Sequence, residues 1–361
     1  MMASLSRLFS ESDTPYLDYR LAENLFCKYF QADNDARACT AYDAHFPTIG
    51  VGIKTFVLRG GVSTEKIAEF NKIKPQLDAL NGKDLAMALG YCRNERMQVS
   101  NNAYSLTSAL YHIVGRDENS LIIFNSPYDF VNIDGICDVI DKGVSLRFND
   151  GLNEYIFNRS KSVLMKRFIV PEYRVEKPVE ILADPLDVLE NALLHAGRHV
   201  AIAPKRAGVD YVLLPLYSVR DNDVPQKSGL NQWNASGRKR DENEIYIPIP
   251  AKIDHYFPDF FPVAEEPFEL ILPDSTSLSV KRCQAGGKAL MSNPNSALGE
   301  WLLRKVMGKK PGELVTMQDL ELFGFDSVKI QNLHSENPVS GMRQYSICFG
   351  EISENYKNFI D

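Results

Sequence analysis

The sequence predicts two domains of different class, a mixed α/β N-terminal half and a mainly-β C-terminal half. Three observations predict it. The chain has 361 residues, more than one hydrophobic core usually serves. Up to about residue 172 it alternates segments of helical spacing with short apolar runs of strand type. From Tyr211 onward it breaks into brief strands punctuated by Pro and Gly, the pattern of a small barrel or sandwich. The expected division is 1–172, a connector over 173–208, and 209–361.

The elements follow in order. Leu17, Leu21, Leu25 and Tyr29 recur at helical spacing and predict a helix over 16–31. Extended segments are expected at 38–43 and 49–57, the second containing IGVGIKTF. Ser63 or Thr64 reads as the cap of a helix whose Ile67, Phe70, Ile73, Leu77 and Leu80 make one apolar stripe. SLIIFNS, GVSLRF and EYIFN read as strands, the last two as a hairpin around Asn149, Asp150 and Gly151. Pro171, Pro178 and Pro185 mark the connector, which ends in an apolar helix near 185–197. The C-terminal strands are YVLLPLY, EIYIPIP, FELILP, SLSVKR, DSVKI and YSICF, with short helices near 296–307 and 316–322.

Composition narrows the function. Hydrophobic residues make up 44% and charged residues 24%, and 19 Phe, 16 Tyr and 2 Trp need cores to enter, so extensive disorder is not expected. No apolar run is long enough for a membrane helix, and the N-terminus lacks the apolar stretch of a secretory signal. The six cysteines are scattered with no CxxC pair, as expected of reduced thiols in a cytoplasm and against a structural zinc site. The net charge is −7, with 19 basic against 21 acidic residues in 1–172 and 21 against 26 in 173–361. Any nucleic-acid contact must therefore come from local basic patches.

Three C-terminal stretches supply such patches. Lys227 to Asn234 is rich in amides and runs on to Gly237-Arg238-Lys239-Arg240. Lys281 to Lys288 joins three cations to a Gln and a Gly-Gly turn, and Ser292-Asn293-Pro294-Asn295 stands ahead of a helix that its small polar residues can cap and whose N–H groups suit phosphate. Asn and Gln reach base edges bidentately, while Arg and Lys reach phosphate or guanine. By composition these are equally solvated loops with turn residues. The strings KSGLNQWNASGRKRDENEIYIPIP, HYFPDFFP, LPDSTSLSVKRCQAGGKALMSNPNSALGEWLL and ELVTMQDLELFGFDSVKI, however, closely resemble the B3-like specificity domain of restriction endonucleases, over about residues 210–350. The resemblance implies a pseudobarrel of the plant B3 transcription factor type, whose two arms clamp the DNA major groove. It places the arms at 227–240 and 281–295, with Lys227, Asn231, Gln232, Trp233, Arg238, Arg240, Lys281, Arg282, Gln284, Lys288, Ser292 and Asn293 as candidate contacts. Trp233 is equally an apolar anchor for its own loop.

Many restriction enzymes with this domain carry a phospholipase D-like nuclease, which needs His-x-Lys. None of the six histidines is followed two residues later by Lys, and Walker A, HEXXH and GxSxG motifs are missing too. What remains is Asp43 in ACTAYD and Lys54 in GVGIKTF. Metal-assisted phosphodiester hydrolysis needs carboxylates for the cation and gains from a Lys beside the attacking water. A helical acid, Glu23, then Asp43, then Lys54 resembles the PD-(D/E)XK nuclease superfamily, with one departure: Gly52 stands where the second acid belongs. Some branches of that superfamily move the acid to the following helix. Glu65 and Glu69 are then the candidates, and Gly50 and Gly52 would leave room for the arriving carboxylate. The resemblance assigns Asp43 and Glu69 as ligands of Mg²⁺, Lys54 as the cation orienting the water, and Glu23 as a secondary ligand or structural acid. Arg159, Lys161, Lys166 and Arg167 either line a DNA cleft or belong to a solvated hairpin.

The expectation is a nuclease-like α/β domain joined to a B3-like pseudobarrel: a sequence-specific endonuclease of restriction type, dependent on Mg²⁺ and acting on double-stranded DNA. Two cuts by one site per chain would be easiest from a homodimer, and a cognate methyltransferase would accompany such an enzyme. The alternatives are a DNA-binding protein that does not cleave, and a nuclease that needs a separate ATP-driven subunit.

Overall fold

A computed structural model of the chain describes residues 2–36, 38–196, 210–354 and 356–357. Residues 197–208 of the expected connector, with His199, lie outside the described residues. The chain forms two compact units. The first comprises Met1–Arg37, Tyr42–Asn94 and Thr107–Arg206, and the second Ala38–Ala41, Glu95–Leu106 and Ala207–Asp361.

The first unit holds strands β1 (Asp33–Asn34), β2 (Ala44–Phe46), β3 (Ile49–Val57), β4 (Val62–Glu69), β5 (Ser108–Asp117), β6 (Ser120–Pro127), β7 (Cys137–Asp141), β8 (Ser145–Asn149), β9 (Glu154–Asn158), β10 (Val163–Ile169) and β11 (Val175–Pro178). Its helices are α1 (Tyr19–Phe30), the short α2 (Lys74–Asp78), the first part of α3 (Gly82–Tyr104) and α4 (Pro185–Ala196). One sheet runs β1-β2-β3-β5-β6-β11, with β3 and β5 parallel, and the other β4-β10-β9-β8-β7. Helix α1 starts where Asp18 accepts hydrogen bonds from the Arg20 and Leu21 amides. Its Ala22 and Phe26 pack with Leu17 on Ala44, Val51 and Ile53 of the first sheet. On the second sheet Leu85, Leu89, Phe70 and Leu77 bury Phe148, Phe157 and Leu164. Each such side chain is worth about 1.5–3 kcal/mol of transfer free energy. Phe168 of the second sheet meets Tyr111 of the first edge-on at 5.1 Å.

Three expectations change here. Residues 62–69 form a strand, not a helix: seven of them pair antiparallel with β10, and only 74–78 turns helical. The apolar residues Phe70, Ile73 and Leu77 are buried as expected, but at the end of the strand and in the short helix. Residues 38–43 are irregular, and the strand falls at 44–46. The longest helix, α3, and strand β5 were not anticipated. The hairpin of β8 and β9 forms as expected, with Gly151 at φ +85° and Asp150 accepting from the Leu152 and Asn153 amides.

The second unit holds β12 (Tyr211–Pro215), β13 (Ile247–Pro248), β14 (Phe268–Ile271), β15 (Ser277–Cys283), β16 (Ala289–Ser292), β17 (Ser327–Glu336) and β18 (Arg343–Gly350). They form one sheet in the order β12-β17-β18-β14-β15-β16-β13. Its end strands β12 and β13 approach one another, so the sheet nearly closes into a barrel. The mainly-β expectation is met, and all six strand strings carry a strand. Helices α5 (Ala251–Tyr256), α6 (Ala297–Gly299, continuing as a π-helical turn Glu300–Val306) and α7 (Met317–Phe323) cover it. Thr316 and Asp319 close a reciprocal capping box on α7.

Candidate functional sites

In the first unit the structure brings together three of the four residues expected to be catalytic. Asp43 stands just before β2, next to the β2–β3 pairing, and its Oδ2 accepts the Ile53 N–H at 2.7 Å. Lys54 Nζ lies 4.0 Å from the same oxygen. Glu23, on the buried side of α1, is paired with Arg20 at 2.9 Å and has 5% of its side chain exposed. Burial raises the Glu23 carboxyl above the usual range, and the charge of Asp43 raises it further, while Arg20 and Lys54 pull it back. Two carboxylates and a lysine therefore act on one another across α1, β2 and β3.

Glu69 does not join them. It ends β4 in the other sheet, where Lys66 bonds it at 2.8 Å. Gly50 and Gly52 leave no room for a carboxylate from outside. A Cβ on Gly50 would come 2.8 Å from the Tyr42 ring, and one on Gly52 2.8 Å from Tyr128 and 2.9 Å from Tyr111. The position of the missing acid is filled by the stacked Tyr111 and Tyr128 rings, 4.0 Å apart. Magnesium is commonly held by one or two carboxylates together with substrate phosphate oxygens. Asp43 and the buried Glu23 are the two carboxylates that this part of the unit offers; among the described residues no group of three His, Cys, Asp or Glu could hold a metal ion.

The sequence reading missed His45, two residues along from Asp43. Its Nδ1 lies 2.5 Å from Asp35 and its Nε2 3.6 Å from Asp33. Burial lowers its pKa, but the hydrogen bond and charge of Asp35 outweigh that and leave it raised. Of the four hairpin cations, Arg159 is bound to Asp141 and the Leu80 carbonyl, Arg167 to Glu154, and Lys166 is buried against the Pro127 carbonyl.

In the second unit the twelve expected contacts fall into two groups. One group supports the fold. Asn231 is fully buried: its amide donates to the Pro225 and Val315 carbonyls, and its oxygen accepts the Val315 N–H at 2.9 Å. Gln232 donates to Glu244 at 3.2 Å, Arg238 is ion-paired to the same carboxylate, and Arg240 lies 3.6 Å from it. Arg282 is buried between Asp254, the Gly287 and Pro262 carbonyls and the Phe261 ring. Lys281 is bonded to Glu265 at 2.6 Å. Ser292 is buried; its hydroxyl donates to the Pro294 carbonyl and accepts the Leu298 N–H in the first turn of α6. The indole N–H of Trp233 is buried with no partner among the described residues.

The other group is exposed. Lys227, Gln284, Lys288 and Asn293 present their side chains to solvent, and among the described residues none of the four makes an ion pair. Gln284 and Lys288 sit on the tight β15–β16 turn, where Gly286 and Gly287 take φ of +79° and +66°. A Cβ on Gly287 would also strike the Arg282 guanidinium at 2.8 Å, so only glycine serves there. A groove of about 640 Å³ joins this turn to the start of the first arm. Ser228 and Gly229 line it with Gln284 and Lys288, and Tyr217, Tyr246 and Arg220 line it as well. Arg220 was not anticipated, because it lies before the first arm.

A family model described as the NgoFVII C-terminal B3-like DNA-binding domain matches residues 210–334. No curated protein matches the chain.

Proposed function

We propose that the chain is a DNA endonuclease of restriction type, whose second unit recognises a short sequence in double-stranded DNA and whose first unit cleaves. The match of residues 210–334 to a B3-like DNA-binding domain carries this reading. The groove supports it, since Arg220 and Lys288 line it as exposed cations and Gln284 as an exposed amide, beside Ser228 and Gly229 of the first arm. Lys227, Lys288, Gln284, Asn293 and Arg220 are the proposed contacts. Arg and Lys would take phosphates, and Gln284 and Asn293 base edges.

In the first unit Asp43 and Glu23 would hold Mg²⁺, which when bound supplies a charge for the phosphate oxygens and a more acidic water. Lys54, beside the same carboxylate, orients the attacking water and offsets the charge that grows on the phosphate. Digestion of a long unmethylated DNA tests the reading: it expects discrete fragments with Mg²⁺ and none with EDTA. Lys54→Ala is expected to lose cleavage while a gel shift keeps wild-type binding. Continued cutting by that variant would remove Lys54 from the site. In this reading the enzyme works as a homodimer beside a cognate methyltransferase.

One observation favours the second reading, specific binding without cleavage by this chain. The place of the second acid is closed by tyrosine rings. Intact DNA in Mg²⁺ at concentrations where a duplex is bound would select it, or the version in which a separate ATP-driven subunit completes the nuclease.

A further inference from the structure

The first arm carries three consecutive cations, and two of them point inward. Arg238 and Arg240 both reach the Glu244 carboxylate, which Gln232 also bonds from the base of the arm. The Glu244 side chain is only 4% exposed, whereas that of Arg238 is 54% exposed. Arg240 further donates to the carbonyls of Ala235, Ser236 and Arg238, drawing the tip of the loop around its guanidinium. Glu244 is itself held in place. The Glu244 N–H donates to the Asp241 carbonyl, and Arg304 bonds the Glu242 carbonyl and the Asn243 side chain, each at 2.7 Å. Gly299 of α6 backs directly onto the Asn243 carbonyl, where no Cβ could fit. A rigid acid thus stands at the root of a cationic loop.

We propose that Glu244 is the positioning residue of the first arm. It turns Arg238 and Arg240 inward as struts and leaves Lys227 and Lys239 as the arm's phosphate-facing cations. The proposal rests on the DNA-binding reading and deepens it. A buried carboxylate shared by two guanidiniums is strongly held, because breaking it leaves an uncompensated charge in the interior. Arg238 therefore keeps Glu244 when DNA arrives and releases no counterion from phosphate. Lys239 lies between the two struts in sequence and is exposed, with no ion pair among the described residues. The inward pull on its neighbours is what presents it.

Two readouts on the full-length chain test this. The first is the salt dependence of binding to a labelled mixed-sequence duplex, in which each phosphate contact contributes about 0.9 to the slope of log K against log salt. Lys227→Gln and Lys239→Gln are each expected to reduce the slope by about 0.9, and Arg238→Gln to leave it unchanged. Glu244→Gln, which keeps the shape and removes the charge, is expected to steepen it by up to about 0.9, as Arg238 is released to phosphate. The second readout is hydrogen exchange of the amides of 235–240 in the free protein. Both Arg238→Gln and Glu244→Gln are expected to speed it several-fold. Should Arg238→Gln flatten the slope as the lysine variants do, the arginine lies on phosphate and the proposal is overturned. Unchanged exchange in Arg238→Gln overturns it as well. Arg238 is largely exposed, so that variant folds even if Glu244→Gln does not. If the wild-type chain binds no duplex at any salt, the DNA-binding reading fails, and the exchange readout still decides whether Glu244 holds the loop.

Discussion

Asn231 and Arg282 illustrate how residue type misleads when burial is unknown. Both belong to stretches that suit base or phosphate contact, and both have their hydrogen-bonding groups engaged by the protein. Asn231→Ala would leave the Val315 N–H and two carbonyls without their partner inside the second unit. The expected cost is about 2–4 kcal/mol of stability. Denaturant unfolding checks it, and a change in DNA preference without a stability loss would contradict it. Lys166 makes a residue-scale prediction about pH. Burial pulls its ammonium down to about 8, aided by Arg93, while Asp129 and Asp150 oppose the shift. A lysine depressed in the folded state is protonated more fully in the unfolded chain between pH 8 and 10.5. Stability therefore gains from this group as pH rises through that window, by on the order of 3 kcal/mol at most. Lys166→Met removes the gain, so the melting temperature of the wild type should rise relative to that of the variant as pH goes from about 8 to 10.5.

At the scale of elements, residues 62–80 show where periodicity gives way to tertiary pairing. Ile67, Phe70, Ile73, Leu77 and Leu80 fit a helical stripe, yet Val62, Thr64 and Ile67 are β-branched and β10 offers a full antiparallel edge. The strand wins up to Glu69, and the same core collects the apolar residues by another route. That change carries Glu69 away from Asp43 and Lys54. Gly52 poses the complementary question on β3. Its Cα faces two buried rings, so Gly52→Ala should cost about 1–3 kcal/mol through overpacking. In a Tyr128→Ala background the same change should cost less, and a double-mutant cycle measures the coupling. Additive costs would mean that the Tyr128 ring does not close this position.

For the whole molecule, net charge is a poor guide and local pairing a better one. Of the arm cations, Arg238, Arg240, Lys281 and Arg282 are engaged by Glu244, Glu265 and Asp254. Lys227, Lys239, Lys288 and the groove residue Arg220 make no ion pair among the described residues. Four phosphate contacts predict a slope of log K against log salt of about −3.6 for duplex DNA. A slope near twice that would mean that the ion-paired cations exchange their carboxylates for phosphates on binding. No helix among the described residues is long and apolar enough to cross a membrane, in keeping with the scattered apolar runs of the sequence.

By itself the sequence determined the two-part class, the strands of the second unit, the β8–β9 hairpin and the places of α1 and α7. These are set by local patterns: alternation, helical spacing and turn residues within a few positions of one another. It also pointed to Asp43, Lys54 and Glu23, which adjacent elements hold. Helix α3 was hidden because its buried Leu85, Leu89 and Met97 are interleaved with polar residues, among them Arg93, itself buried. Only the tertiary structure decided which side chains of the arms face outward, that tyrosines fill the space beside Gly52, and that His45 stands between Asp33 and Asp35. Each of those depends on partners far along the chain, and burial and charge pairing between distant segments leave no periodic trace in sequence.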